Sequence, residues 1–255
     1  MNRLQNRTAL VTGAGSGLGR DIARLFAAEG CRVVATDQHE APLTELVAQV
    51  TSEGKEMMYI TGNVVHQEDV DRMVAAAIGW TGRLDILVNN AGIMDAFDPV
   101  GDLTDTMWEK VMSVNVTGPM RLMRKAVNAM LTSGGGSIVN VASIGGLRGG
   151  RAGAAYTSSK HALIGLTMST GYMYAKQGIR CNAIAAGAMS TSIMEGFDFS
   201  KLSPLVQERI MAPAATNPRS SDPVEVARLA LFLASDEASF VNGATIVADG
   251  GWIAY

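Results

Sequence analysis

The chain has 255 residues, 47% of them apolar, and a formal net charge of −3 with a pI near 5.6. That composition fills the core of one large α/β domain without a dividing linker, and its mild acidity, with no run of like charges, excludes a basic footprint for nucleic acid. No apolar run approaches the roughly 18 residues of a membrane span, and the start of the chain lacks an apolar signal core, so a soluble cytoplasmic protein without nucleic-acid or membrane partners is expected.

Residues 7–12 read as a short buried strand running into Gly13-Ala14-Gly15-Ser16-Gly17-Leu18-Gly19, and a helical pattern carrying Ile22, Ala23, Leu25 and Phe26 follows. Strand, glycine turn and helix in that order suit a pyrophosphate: glycines let the backbone approach it, and the helix start offers N–H groups and a partial positive charge. A second strand over residues 32–36 ends in Asp37, eighteen residues after Gly19, the expected place for an acid that binds ribose hydroxyls. A carboxylate there accepts hydrogen bonds from a 2′-hydroxyl and repels a 2′-phosphate. Gln38 adds no positive charge, so NAD is the expected cofactor.

Helix and strand then alternate over residues 41–52, 56–61, 67–80 and 84–88. Such alternation implies an α/β fold, a single-domain doubly wound parallel sheet of Rossmann-like form with helices on both faces. Asn63-Val64 and Asn89-Asn90-Ala91-Gly92 fall just past two strand ends, where a dinucleotide would lie. A long helical pattern over residues 104–131 is broken near Gly118-Pro119, with Asn115 just before the break. The Asn115 side chain either bonds backbone groups freed by the proline or holds a water near Lys160.

A strand over residues 137–142 ends at Ser143, glycines 145, 146, 149 and 150 give a flexible loop, and a helix starting near Gly153 carries Tyr156-Thr157-Ser158-Ser159-Lys160. Phenol and ammonium four residues apart share one helix face. A free phenol has a pKa of about 10, so it exchanges protons poorly at neutral pH unless a positive charge stabilises its anion. Lys160 supplies that charge, Ser143 adds a fixed hydroxyl, and together the three would hold a carbonyl oxygen. Tyr172 and Lys176 repeat the spacing sixteen residues later, but on one helix they would face about 160° away. Only one pair can face the site, and Tyr156 is the one that follows a strand and a glycine loop.

Residues 179–185 form another expected strand. The stretch 188–220 fits neither period and carries Met194, Phe197, Phe199, Leu202, Leu205 and Met211, which reads as a substrate-covering lid with short helices or as an oligomer contact. Asp222-Pro223 has the form of an N-cap with proline at the first helical position, opening a helix to about residue 235, and a last strand spans residues 244–247. Cys31 and Cys181 lack partners at metal-type spacing, and His39, His66 and His161 are scattered. Buried inert thiols and no metal site are expected.

The glycine loop with Thr12, Asn89-Asn90-Ala91-Gly92, Asn115, Ser143, and Tyr156 with Lys160 together resemble the short-chain dehydrogenase/reductase family, over nearly the whole chain. The resemblance implies that Tyr156 exchanges the proton, Lys160 binds the nicotinamide ribose and lowers the phenol pKa, Ser143 orients the substrate oxygen and Asn115 holds a relay water. It implies cofactor contacts at Gly13, Ser16, Gly17, Leu18, Gly19, Asp37, Gln38, Asn63, Val64, Asn90, Ala91, Gly92, Tyr156, Lys160, Gly187, Met189 and Thr191. The family usually has Asp where this chain has Asn63, whose carbonyl should still bond the adenine amino group. It usually has Pro where this chain has Ala186, so a looser loop and a softer cofactor edge are expected. The implied activity is interconversion of a small-molecule secondary alcohol and a ketone with NAD, by a homotetramer. A 3-oxoacyl-[acyl-carrier-protein] reductase is the alternative within this chemistry, and a non-catalytic nicotinamide-nucleotide sensor or binding protein the alternative outside it.

Overall fold

Within each central strand successive side chains serve opposite faces of one sheet. In the first strand, β1 (Thr8–Thr12), Ala9 and Val11 join one apolar cluster, while Leu10 joins the other. Both faces are covered, so the strand is apolar throughout, as parallel strands in layered folds are. The computed structural model describes residues 2–254 apart from 192, 194–196, 199 and 201, and only the backbone of Met211. Met194 and Phe199 of the expected lid therefore lie outside the described residues.

The remaining strands are β2 (Arg32–Asp37), β3 (Met57–Thr61), β4 (Ile86–Asn89), β5 (Gly136–Val141), β6 (Ile179–Ala186) and β7 (Thr245–Ala248). Among the described residues they form one seven-stranded sheet in the order β3-β2-β1-β4-β5-β6-β7, every pairing parallel. Helices α1 (Gly17–Ala28), α2 (Glu40–Ser52) and α8 (Pro223–Ala234) pack on one face. Helices α3 (Gln67–Thr81), α5 (Gly118–Ser133) and α6 (Ala154–Tyr174) cover the other. The chain leaves β1 in one direction through β2 and β3 and returns to β4 on the other side of β1. That reversal opens a crevice at the carboxyl ends of β1 and β4, the usual place for a ligand in such sheets.

The doubly wound parallel sheet expected from the sequence is thus present, and α8 carries its Asp222 cap, with Glu225 completing a capping box. The 104–131 pattern differs. It divides into α4 (Asp105–Met112), a π turn over Ser113–Thr117, and α5. The break therefore lies upstream of Gly118-Pro119, and Pro119 sits in the first turn of α5. A π turn adds a residue to the helical ring, which relieves the clash that a proline makes with the carbonyl four residues before it.

The glycine-rich segment after Ser143 is also more ordered than its composition implies. Residues Ile144–Gly146 and Gly149–Arg151 form 3₁₀ turns. A Cβ on Gly146 would lie 2.8 Å from the Lys160 carbonyl oxygen, so this glycine permits close packing against α6. Within the expected lid, α7 spans Pro204–Ala214, and Leu202 and Val206 are buried in a cluster with Phe97 and Tyr156. Among the described residues no helix is long and apolar enough to cross a membrane.

Candidate active site

A cavity of about 930 Å³ opens at the carboxyl edge of the sheet, near the upper end of the usual range for ligand pockets. Every expected cofactor residue lines it except Gly19, and of the expected catalytic residues Ser143, Tyr156 and Lys160 line it while Asn115 stands behind. The glycines shape one end. Gly13 and Gly17 have φ of +64° and +50°, and a Cβ on Gly15 would touch the Asp37 carboxylate at 3.0 Å. The side chain at the N-cap of α1 makes no cap hydrogen bond to that helix, and a helix start of this kind suits an anion through its N–H groups. Asp37 is held by N–H donation from Gly15 at 3.2 Å and from His39 at 3.1 Å. This cradle fits a dinucleotide: small residues at the phosphate position, open helix-start donors, and a fixed carboxylate at the end of β2.

Asn63 shows what replacing the usual Asp changes. Its Oδ1 accepts from the Val65 N–H at 3.1 Å, and a carbonyl oxygen keeps a second lone pair for another donor. Asn90 donates to the carbonyls of Thr12 and Gly13, tying the carboxyl ends of β1 and β4 together. Asn89 is instead a core residue of β4, donating to Asn140 at 2.8 Å. Ala186 ends β6 against Ala248, and the next N–H, of Gly187, donates to the Ala248 carbonyl at 2.9 Å. The sheet thus secures the backbone where the missing proline was expected to loosen it.

Tyr156 and Lys160 are 7% and 4% exposed, whereas Tyr172 is 83% exposed, so α6 turns the first pair into the site and the second to its surface. Lys160 Nζ donates to the Val141 carbonyl at 3.0 Å and lies 5.4 Å from the Tyr156 ring centroid. Burial lowers the Lys160 pKa to about 8. Burial likewise pushes the Tyr156 phenol up to about 12, against a hydrogen bond from Ser143 that lowers it and the Asp95 charge that raises it further. Burial, the largest influence on the phenol, thus acts against the depression expected from Lys160. Ser143 also accepts from the Gly145 N–H at 3.0 Å, which fixes its hydroxyl.

Asn115 sits in the π turn, buried. It accepts from the Ile93 N–H and donates to the Ile93 carbonyl, both at 2.9 Å, and donates to Ser159 Oγ at 3.1 Å. These bonds go to neither of the backbone groups beside Pro119, so the first of the two alternatives does not hold; the side chain clamps the loop after β4 to α6. Thr12, named in the sequence only as part of the glycine motif, accepts through Oγ1 from the N–H groups of Asn90 and Ala91. Sequence reasoning assigned no role to Met94, Phe97, Ile210 and Trp252, which line the cavity, or to Asp95, which is buried against α6 and stands in the sequence as a carboxylate between apolar neighbours.

Cys31 and Cys181 are free and buried, the Cys181 thiol pushed up to about 12 by burial. Among the described residues no group of three or more His, Cys, Asp or Glu side chains could hold a metal ion.

A seven-stranded parallel sheet with a glycine cradle at its switch point and a tyrosine–lysine pair beside it defines a nicotinamide-dependent oxidoreductase of the doubly wound class. Residues 13–253 match the family model described as Enoyl-(Acyl carrier protein) reductase. The chain is 42% identical over 257 residues to 3beta-hydroxysteroid dehydrogenase 2 of Eggerthella lenta, covering 99% of this chain and 96% of that protein. It is 35% identical to a cyclohexanol dehydrogenase of Acinetobacter, covering 98% and 96%. The structure of a putative NAD(P) dependent gluconate 5-dehydrogenase of Beutenbergia cavernae, with bound NADP, superposes with a TM-score of 0.87 at 35% identity, covering 99% and 98%. The protein belongs to the short-chain dehydrogenase/reductase family and is an oxidoreductase of that class.

Proposed function

We propose that this protein interconverts cyclic, mostly apolar secondary alcohols and their ketones, with NAD as cofactor. The observation that carries the reading is the convergence of Ser143, Tyr156 and Lys160 on one cavity whose further wall holds Met94, Phe97, Ile144 and Ile210. Relatives named for a hydroxysteroid and for cyclohexanol support a ring-shaped substrate. The preference for NAD rests on Asp37. Among the described residues the cations that line the cavity are Lys110, Arg151 and Lys160, and they belong to α4, a 3₁₀ turn and α6, so none of these comes from the β1–β2 edge where a 2′-phosphate would meet that carboxylate.

A bound nicotinamide dinucleotide supplies the hydride acceptor or donor. The chain supplies placement and proton transfer. Tyr156 gives its proton to the carbonyl oxygen in reduction and takes the hydroxyl proton in oxidation, Ser143 donates to the same oxygen, and Lys160 holds positive charge beside the phenol and towards the ribose. Asn115, through its clamp on Ile93, sets the loop that borders Lys160, and a water beside it would pass protons to solvent.

The test is NADH formation across cyclic alcohols, hydroxysteroids, sugars and polyols, repeated with NADP. Turnover of ring alcohols with kcat/KM at least about tenfold higher for NAD is expected, and Asp37→Ala should erase most of that ratio, since about 1.4 kcal/mol corresponds to each tenfold. Activity confined to sugars, or a preference for NADP in the unaltered protein, would remove the reading. Light scattering is expected to give a homotetramer.

A further inference from the structure

We propose that Asp95 is a positioning residue for proton transfer, the remote cap of α6 that locks Tyr156 and the apolar wall of the substrate cavity into one unit. The proposal deepens the alcohol–ketone reading and rests on it. The N-cap of α6 is Gly153, which has no side chain to cap with. A helix in that position leaves its first N–H groups without intrahelical partners. Here a loop 56 to 61 residues upstream provides them: Asp95 Oδ1 accepts from the Gly153 N–H at 3.1 Å, Asp95 Oδ2 accepts from the Tyr156 N–H at 2.8 Å, and the Asp98 carbonyl accepts from the Ala154 N–H at 2.9 Å. One carboxylate thus does what a capping box usually needs two residues to do.

The same carboxylate sets the cavity wall. Oδ1 also accepts from the Phe97 N–H at 3.1 Å, and Phe97 has a φ of +64°, a left-handed conformation that a bulky residue adopts only when its surroundings impose it. That backbone points the ring into the cluster with Tyr156, Leu202 and Val206 and edge-on to Phe197, at a centroid distance of 5.0 Å. Asp95 is 3% exposed and does not line the cavity, so it acts through Tyr156 and Phe97. Gly153 cannot take over the capping: a Cβ there would lie 2.5 Å from Asp95 Oδ2 and 2.7 Å from the backbone of Phe97.

The charge matters as well as the bonds. Groups bearing on the Tyr156 phenol are Lys160 from its own helix, Ser143 from the end of β5, and Asp95 from the loop. Asp95 in turn faces Asp98, whose carboxyl is raised by burial and then by Asp95 and Asp102. Arg151 is engaged elsewhere, with the Pro213 carbonyl and the Trp252 ring, and α7 presents apolar Val206. An Asp95→Asn change keeps the shape, removes the charge and leaves one acceptor oxygen where two are used.

The experiment measures kcat/KM for alcohol oxidation against pH, NADH affinity and melting temperature for the protein and for Asp95→Asn, with Asp98→Asn as the control in the same loop. If the amide variant does not fold, Asp95→Ser replaces it. Removing a negative charge favours the phenolate, the base in oxidation, so the ascending limb of the profile should move to lower pH by about 0.5 unit or more. Misplacement of the phenol should cut kcat about 10- to 100-fold, with NADH affinity held within about twofold, whereas Asp98→Asn should leave the limb in place. An unmoved limb and unchanged kcat with only a lower melting temperature would make Asp95 a stabilising cap and overturn the proposal alone. An unaltered protein that turns over no alcohol or ketone would overturn the functional reading and this proposal with it.

Discussion

Replacing Tyr156 with Phe is expected to lower kcat for alcohol oxidation and ketone reduction by about 10³-fold or more, toward the upper end of what a positioned acid or base contributes. The ring would stay, and with it the packing on Phe97, Ala152, Leu202 and Val206. What is lost is the hydroxyl that meets Ser143 and that, in the proposed mechanism, exchanges the proton. Stability should therefore change by no more than about 1 kcal/mol, the net worth of one ordinary hydrogen bond. NADH affinity should hold, because Lys160, Asp37 and the glycine cradle are untouched. Parallel measurement of kcat by absorbance and of NADH binding by fluorescence separates the two effects. Residual turnover within tenfold of the unaltered protein would show that another group carries the proton.

The fold and the centre of the site were legible because both are written locally. Apolar strand runs alternate with helical periods, the glycine loop follows a strand, and Tyr156 stands four residues before Lys160 in a helix, so neighbours in sequence become neighbours in space. Sequence spacing even separated the two tyrosine–lysine pairs, since helix geometry alone turns them apart, and Tyr172 is on the surface.

What was not legible depends on distant partners. Asn115 reads as a residue beside a proline, yet its bonds go to Ile93 and Ser159, on other segments that no local pattern points to. Asp95 serves a helix whose N-cap lies 58 residues later, and the environment that raises the Tyr156 phenol to about 12 is a property of packing. Spacing brings Lys160 beside the phenol but does not reveal the burial that acts on it. The π turn was hidden for a related reason: Pro119 announces a defect, while the neighbouring turns decide on which side of it the helix widens.

Gly19→Ala is the second change with a large expected effect, and it acts on a residue that does not line the cavity. A Cβ at Gly19 would lie 2.1 Å from the Gly13 carbonyl oxygen and 2.4 Å from Asn90 Nδ2. Neither neighbour can yield easily. The first is backbone in a residue with φ +64°, and the second is held by hydrogen bonds to the carbonyls of Thr12 and Gly13 at 3.0 and 3.2 Å. The added methyl must push α1 away from the ends of β1 and β4, which opens the phosphate cradle. Overpacking of this kind costs about 1–3 kcal/mol, occasionally more, and the upper end is expected here because rigid backbone receives the contact. The affinity for NADH should fall about 100-fold or more, because the cradle depends on backbone placement. Gly79→Ala provides the opposing case. Gly79 lies inside α3 with nothing within 4 Å of its added Cβ, so alanine there should stabilise by about 0.5–1 kcal/mol through helix propensity alone. Denaturant unfolding and NADH titration of both variants test the contrast. If Gly19→Ala bound NADH like the unaltered protein, the close approach of α1 to the Gly13 loop could not be what shapes the dinucleotide site.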